Sequence, residues 1–244
     1  MAANDKPHTF SRFDGDLGEF RQLVLDMGQL ACEQTLLGAR AVNNCDTGLA
    51  HEVRSNFRHV RDIDMDLLES NVRLLAIHHP VASDLRFMMM FSRTAYDLER
   101  INREALKLAD LAELHAESKT TRQYCELFDD VMTMGAAAGD LLARSMKAVA
   151  EGNIDAGIEV INAQEHIERI SQGALRRLAT YIMQDPRTIQ WVIDATSALK
   201  GLERIADHAV SIAMNLIFAC SGKDIRHANV LNLNDEFLKS PTCT

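Results

Sequence analysis

Val24, Met27, Gly28, Ala31, Ala41 and Val42 return later in the chain as Val131, Met134, Gly135, Ala138, Ala148 and Val149, each shifted by 107 positions. Leu98-Glu99-Arg100-Ile101 with Ala105 and Ala109 returns as Leu202-Glu203-Arg204-Ile205 with Ala209 and Ala213, shifted by 104. Both sets keep chain order. A period this long exceeds that of solenoid repeats and describes a duplicated unit, so whatever one half folds into the other must fold into as well.

That unit is helical. Only 12 glycines and 4 prolines interrupt 244 residues, and aromatics are 5%, a composition that favours long helices over sheets. Pro80 and Pro186 stand at the ends of long periodic stretches, where each is expected to open a helix at no cost in lost N–H bonds. With capping signals at Asp46-Thr47, Ser118 to Thr121 and Gly152-Asn153, the pattern predicts six helices, near 14–44, 47–78, 80–115, 120–151, 154–184 and 186–221. Long helices with short connections imply antiparallel bundles. The expected fold is all-α: two pseudo-symmetric three-helix bundles, 8–116 and 117–221, followed by a tail, 222–244.

Charge narrows the function. With 26 Lys+Arg against 35 Asp+Glu the net charge is −9, and no basic stripe is present, which argues against nucleic acid as a partner. No secretory h-region and no window of ~18 apolar residues is visible, so neither a signal peptide nor a membrane span is expected. Cys32, Cys45, Cys125, Cys220 and Cys243 are odd in number and widely spaced, a pattern that fits reduced thiols in the cytoplasm.

The sixth stretch carries an apolar line through Val192, Thr196, Leu199, Ala206, Val210, Ala213 and Ile217, and Glu203 falls on it. Asp207 follows one turn later, so two carboxylates share a face. Like charges at that spacing oppose each other, and a bound cation would remove the cost. The pair is a candidate hard-metal or iron site, with solvated or arginine-paired carboxylates as the plainer reading. Arg204, three residues before Asp207, and Arg100, three after Asp97, are candidate partners. His78-His79 reads as a capping or exposed pair, one or two of Met88-Met89-Met90 as core filler, Trp191 as a packing anchor, and Asp62, Asp64, Asp66 and Glu69 as an acidic face from which one residue could reach a neighbouring metal.

Three segments together, Pro80-Val81-Ala82-Ser83-Asp84-Leu85-Arg86, Asp97-Leu98-Glu99-Arg100-Ile101 and Leu202-Glu203-Arg204-Ile205-Ala206-Asp207, resemble the PhoU family of bacterial phosphate-signalling regulators. His8 to Leu17, Asp26-Met27-Gly28 and Gly222 to His227 resemble its entry, helix-one and closing segments, so the likeness covers about residues 8–228. The resemblance implies a cytoplasmic protein of two three-helix bundles with clustered metal ions on E/D-x-x-x-D motifs. It further implies partnership with the ATPase subunit of the phosphate ABC transporter and with the phosphate-sensing histidine kinase, holding the starvation response off when phosphate is ample. The second motif carries over to Glu203 and Asp207. In the first, Arg103 replaces the terminal Asp after Glu99, which leaves Glu99 and Asp97 as the candidates there.

Iron, manganese, zinc and magnesium are the candidate ions, and a homodimer is the expected assembly. A carboxylate-bridged metalloenzyme is the main rival reading, and a metal-free helical adaptor the second. The E-x-x-H pairs that build ferritin-like di-iron sites are missing, as are a P-loop and a G-x-S-x-G elbow. The expectation is therefore a regulator that is not an enzyme, with no catalytic residue.

Overall fold

The computed structural model describes residues 6–116 and 125–225, with side chains from 13 to 116 and from 126 to 225. Six helices carry the fold: α1 (Lys6–Asn44), α2 (Thr47–His78), α3 (Ser83–Ala116), α4 (Asp129–Glu151), α5 (Ile154–Gln184) and α6 (Ile189–Ser221). Single 3₁₀ turns, Cys125–Phe128 and Pro186–Thr188, lead into α4 and α6. No strand occurs among the described residues. α1 to α3 and α4 to α6 form the two expected three-helix bundles.

The capping signals decide where helices meet. The Asp46 carboxylate accepts from the amides of Gly48 and Leu49 at the start of α2, and the Asn153 side chain accepts from Ala156 at the start of α5. Gly152 takes the left-handed conformation (φ 60°) that ends α4, as glycine does without a Cβ penalty. His79 also adopts a positive φ (47°) and its N–H closes α2 on the Leu75 carbonyl. His78 is a different case from the expected exposed pair: its ring is buried, with Nε2 2.9 Å from Asp16 Oδ2.

Helix starts differ from the sequence expectation in physically simple ways. Pro80 does not open α3, because its neighbour His79 is committed to capping α2, and the helix begins only after Ala82, whose carbonyl accepts from Arg86 N–H. Pro186 opens a 3₁₀ turn capped by Asp185, and α6 proper starts at Ile189. α1 begins at Lys6, earlier than expected, and α4 at Asp129, later. The Ser118 to Thr121 cap, the break between halves at 116/117 and the tail beyond Ile225 lie outside the described residues.

The halves share one continuous hydrophobic core. α1, α3, α4 and α6 form a central layer through α1–α4 and α3–α6 contacts, while α2 and α5 flank it. α6 accordingly buries more than the expected seam: besides Val192, Leu199, Ala206, Val210, Ala213 and Ile217, it also buries Ala195, Ala198, Leu202, Ile205 and Ala209, as a helix packed on several sides must. Met88 and Met90 fill core space and Met89 is exposed. Trp191 is buried and stacks on His115, ring centroids 4.1 Å apart, closing one end of the α3–α6 contact. Cys220 stands in a disulfide, which corrects the expectation of five reduced thiols; sequence spacing carries no sign of it, since a disulfide depends on spatial separation. Burial pushes the Cys32 thiol up to about 11.

Glycine faces the α1–α4 contact at two places, and the close approach requires it at one of them. A Cβ on Gly135 would meet the Cβ of Ala39, fixed to its backbone, whereas one on Gly28 would meet only the flexible end of Met146. Gly135→Ala is expected to cost about 1–3 kcal/mol of overpacking. Gly28→Ala is expected to be neutral or stabilising, by up to about 1 kcal/mol from helix propensity. Urea unfolding of the two variants tests the contrast.

Candidate functional site

Where α3 crosses α6, a buried carboxylate organises the contact. Asp97 has His208 Nδ1 2.9 Å from its Oδ1, accepts from Ser211 Oγ at 2.9 Å on Oδ2, and lies 3.5 Å from Asn215 Nδ2. About two helical turns along, Glu104 accepts from Arg204 at 2.9 Å and from Lys107 at 2.8 Å. The two contacts are related by the duplication: a shift of 104 carries Asp97 to Gly201 and Glu104 to His208, and Gly201 lies against Glu104 Oε2, 3.4 Å from where its Cβ would be. α3 and α6 thus cross on a pseudo-twofold axis.

This corrects the local pairing expected from sequence. Arg204 reaches across the halves to Glu104 rather than along its own helix to Asp207, and Arg100 pairs with Tyr96, donating to its hydroxyl. Arg204 and Asp97 are drawn into long-range contacts because Glu104 and Asp97 are buried, where a carboxylate must find donors, and Arg100, left without Asp97, stays local. Burial raises the Glu104 carboxyl, but the bonds from Arg204 and Lys107 outweigh it and hold it below the ordinary glutamate value.

The Glu203–Asp207 face lies apart from the crossing, toward α5. Glu203 Oε2 accepts from Lys200 Nζ at 2.6 Å and Ser171 Oγ at 2.8 Å. Against desolvation, these donors keep its carboxyl below the usual range. Asp207, exposed at the rim, accepts from Gln164 at 3.1 Å. Desolvation first, and the Glu203 charge with it, hold its carboxyl above the usual range.

The equivalent face of the first half is built differently. Arg103 Nε is 2.5 Å from Glu99 Oε1. Asp64 of α2 comes up opposite, its carboxyl raised by desolvation and by the Glu99 charge, with Arg103 opposing. Of the five acidic residues of α2, Glu52, Asp62, Asp66 and Glu69 are exposed and only Asp64 turns inward. Shifted by 107, as the Asp46 and Asn153 caps require, Asp64 corresponds to Ser171. Each half therefore holds two carboxylates and one base in a different order: Asp64, Glu99 and Arg103 in one, Glu203, Asp207 and Lys200 in the other. Asp64 and Lys200 are the members that helix-by-helix reading does not assign. Asp97, expected beside Glu99, points to α6 instead.

A model of the PhoU domain matches residues 24–112 and again 131–216, one copy in each half. The chain belongs to the PhoU family. The phosphate-specific transport system accessory protein PhoU homolog of Pseudomonas aeruginosa is 34% identical over 230 residues, 94% of this chain and 93% of that protein. The Pseudomonas putida homolog of the same name is 35% identical over 94% of this chain and 88% of that protein. The crystal structure of PhoU from Pseudomonas aeruginosa superposes with a TM-score of 0.78 at 33% identity, covering 86% of this chain and all of that one. Both PhoU copies span the α3 and α6 motifs, so the Arg103-for-Asp difference is a departure between two copies of one domain.

For a metal, the two halves differ in fit. Arg103 occupies the position of a fourth-residue carboxylate beside Glu99, and its guanidinium already neutralises that group, so Asp97 and Glu99 do not make a metal site in the first half. In the second, Glu203, Asp207 and Ser171 present oxygen donors suited to a hard cation, with Lys200 as the group it would displace. Among the described residues no cluster of three or more His, Cys, Asp or Glu is placed to hold an ion.

Glu104 generates a pH prediction. A carboxyl lowered on folding stabilises above its unfolded value, here the ordinary 4.5, and that contribution is lost as pH falls through the lower folded value. Glu104→Gln is expected to cost about 1–2 kcal/mol near pH 7. The variant should then lose less than the wild type on acidification below about 4.5, in urea titrations across pH 3 to 7.

Proposed function

We propose that the chain is a phosphate-responsive negative regulator that restrains the phosphate-starvation response and phosphate uptake. In this reading it acts by binding the ATPase subunit of the phosphate ABC transporter and the phosphate-sensing histidine kinase, works in the cytoplasm as a homodimer, and is not an enzyme. The observation that carries it is likeness over 94% of the chain to a protein named for its accessory role in phosphate-specific transport. The chemistry is compatible: Glu99, Glu104 and Glu203 each hold a basic partner, an arrangement suited to rigid recognition surfaces. No helix among the described residues is long and apolar enough to cross a membrane, so action on a transporter would run through contact with a partner. Deleting the gene in its host is expected to switch on phosphate-starvation genes while phosphate is plentiful. Unchanged reporter expression, with no second family member in the genome, overturns the proposal.

A second element of the reading is an ion on the Glu203–Asp207 face, favoured by the raised Asp207 carboxyl and the Ser171 hydroxyl that sits against Glu203. After reconstitution with iron, manganese, zinc or magnesium, Glu203→Ala and Asp207→Ala should each lower metal content sharply, and Glu99→Ala should change it little. Elemental analysis decides: equal losses from Glu99→Ala and Glu203→Ala, or wild-type protein that takes up no metal, rule the assignment out.

A further inference from the structure

A notch of about 270 Å³ opens between the first turns of α3 and the last turns of α6, lined by Leu85, Arg86, Met89, Arg93, Asn215 and Phe218. Leu85 and Met89 are exposed, although each could have been polar on a solvent face. Arg86 is anchored by its Nε, which donates to the Ala219 carbonyl oxygen at 3.1 Å, leaving its two Nη groups without a partner among the described residues. Arg93 is exposed and makes no hydrogen bond or ion pair among them either. No acidic side chain lines the notch. In a chain of net charge −9, this is a small positive and apolar site.

The duplication separates what belongs to the fold from what belongs to this surface. Shifting by 104 carries Leu85 and Met89 to Ile189 and Ile193, which are also exposed and apolar. It carries Arg86 and Arg93, however, to Gln190 and Ser197. The apolar pair is thus common to both halves, while the two guanidinium groups are confined to the first.

We infer that this notch docks a partner-protein segment bearing two carboxylates about 10 Å apart with an apolar side chain between them. The spacing follows from α3 itself: Arg86 and Arg93 are seven residues apart on one helix face, about 10.5 Å along its axis. Leu85, Met89 and Phe218 receive the apolar side chain, and the guanidinium groups donate to the carboxylates, the geometry for which Arg is better suited than Lys. An amphipathic helix with acidic residues at i and i+7 has this pattern. The inference stands on the charge and shape of the notch and does not depend on which regulator or transporter supplies the segment.

The test uses the full chain and a capped, fluorescein-labelled helical peptide of about 18 residues, carrying Glu at two positions seven apart with Leu and Phe between them on the same face. Fluorescence anisotropy should show saturable binding that weakens as salt rises. Replacing both Glu by Gln, or introducing Arg93→Glu into the protein, should weaken binding about tenfold; a peptide with Lys in place of only the Glu that faces position 93 should regain it on the Arg93→Glu protein. Because Arg93 and Met89 are exposed, Arg93→Glu and Met89→Glu leave the fold intact, which circular dichroism checks. Equal affinity for the Glu and Gln peptides, or no loss with Arg93→Glu, overturns the inference. So does a rise in affinity when Asp235→Asn and Glu236→Gln are made together in the full chain, since the chain's own tail would then be the occupant.

Discussion

Everything in this molecule depends on the crossing of α3 over α6. Two long helices that came from one ancestral sequence meet face to face, and each must bury polar groups of the other. Asp97 is satisfied by His208 and Ser211 at one end, and Glu104 by Arg204 and Lys107 at the other. A buried carboxylate left without donors is costly, and a satisfied one fixes register, because a slide of a single turn would strand it. With that register set, α1 and α4 come together over Gly28 and Gly135, and α2 and α5 are left to flank the central layer. One face of remaining carboxylates then lies toward α2 and the other toward α5.

Duplication gives two copies of a face, and the copies have diverged without losing balance. In the first half the positive charge is supplied by Arg103 from the same helix as Glu99. In the second it is supplied by Lys200, one turn before Glu203. Asp64 in the first half is replaced by Ser171 in the second, and Arg103 by Asp207. Each exchange of charge at one position is matched at another, so neither face carries more than one uncompensated carboxylate. That carboxylate is Asp64 in one half and Asp207 in the other, and both are pushed above the usual aspartate range by desolvation and a neighbouring Glu.

Much of this was legible in the chain alone. The shifts of 107 and 104 declare the duplication, and the caps at Asp46, Gly152 and Asn153 place helix ends to the residue, because a cap is a local interaction whose partners lie within four positions. Pro80 misleads for the opposite reason: whether it opens a helix depends on what His79 is already doing at the end of the previous one. The pairing of Arg204 was not legible, since spacing along one helix says nothing about a carboxylate arriving from another, and Arg100 turns to Tyr96 because Asp97 is taken up by His208 and Ser211 of α6. Asp64 was one acidic residue among the five of α2, and only the angle at which α2 packs on α3 selects it. The Cys220 disulfide left no mark in cysteine spacing. Glu203 and Asp207 could be read as a face, but their donors Ser171 and Gln164 come from α5.

The single tryptophan of the chain stands at the α3–α6 junction, with its ring laid on His115 from the other half and Asp194 Oδ2 3.2 Å from Nε2 of that imidazole. Desolvation keeps the His115 ring below the ordinary histidine range, with Asp194 opposing. An indole stacked on a neutral imidazole is brighter than one stacked on an imidazolium, and a stack this close is lost with a small rotation of either helix. The protein therefore carries an optical gauge at the seam between its halves: a change in Trp191 emission reports any partner, ion or proton that shifts one bundle against the other, without a label.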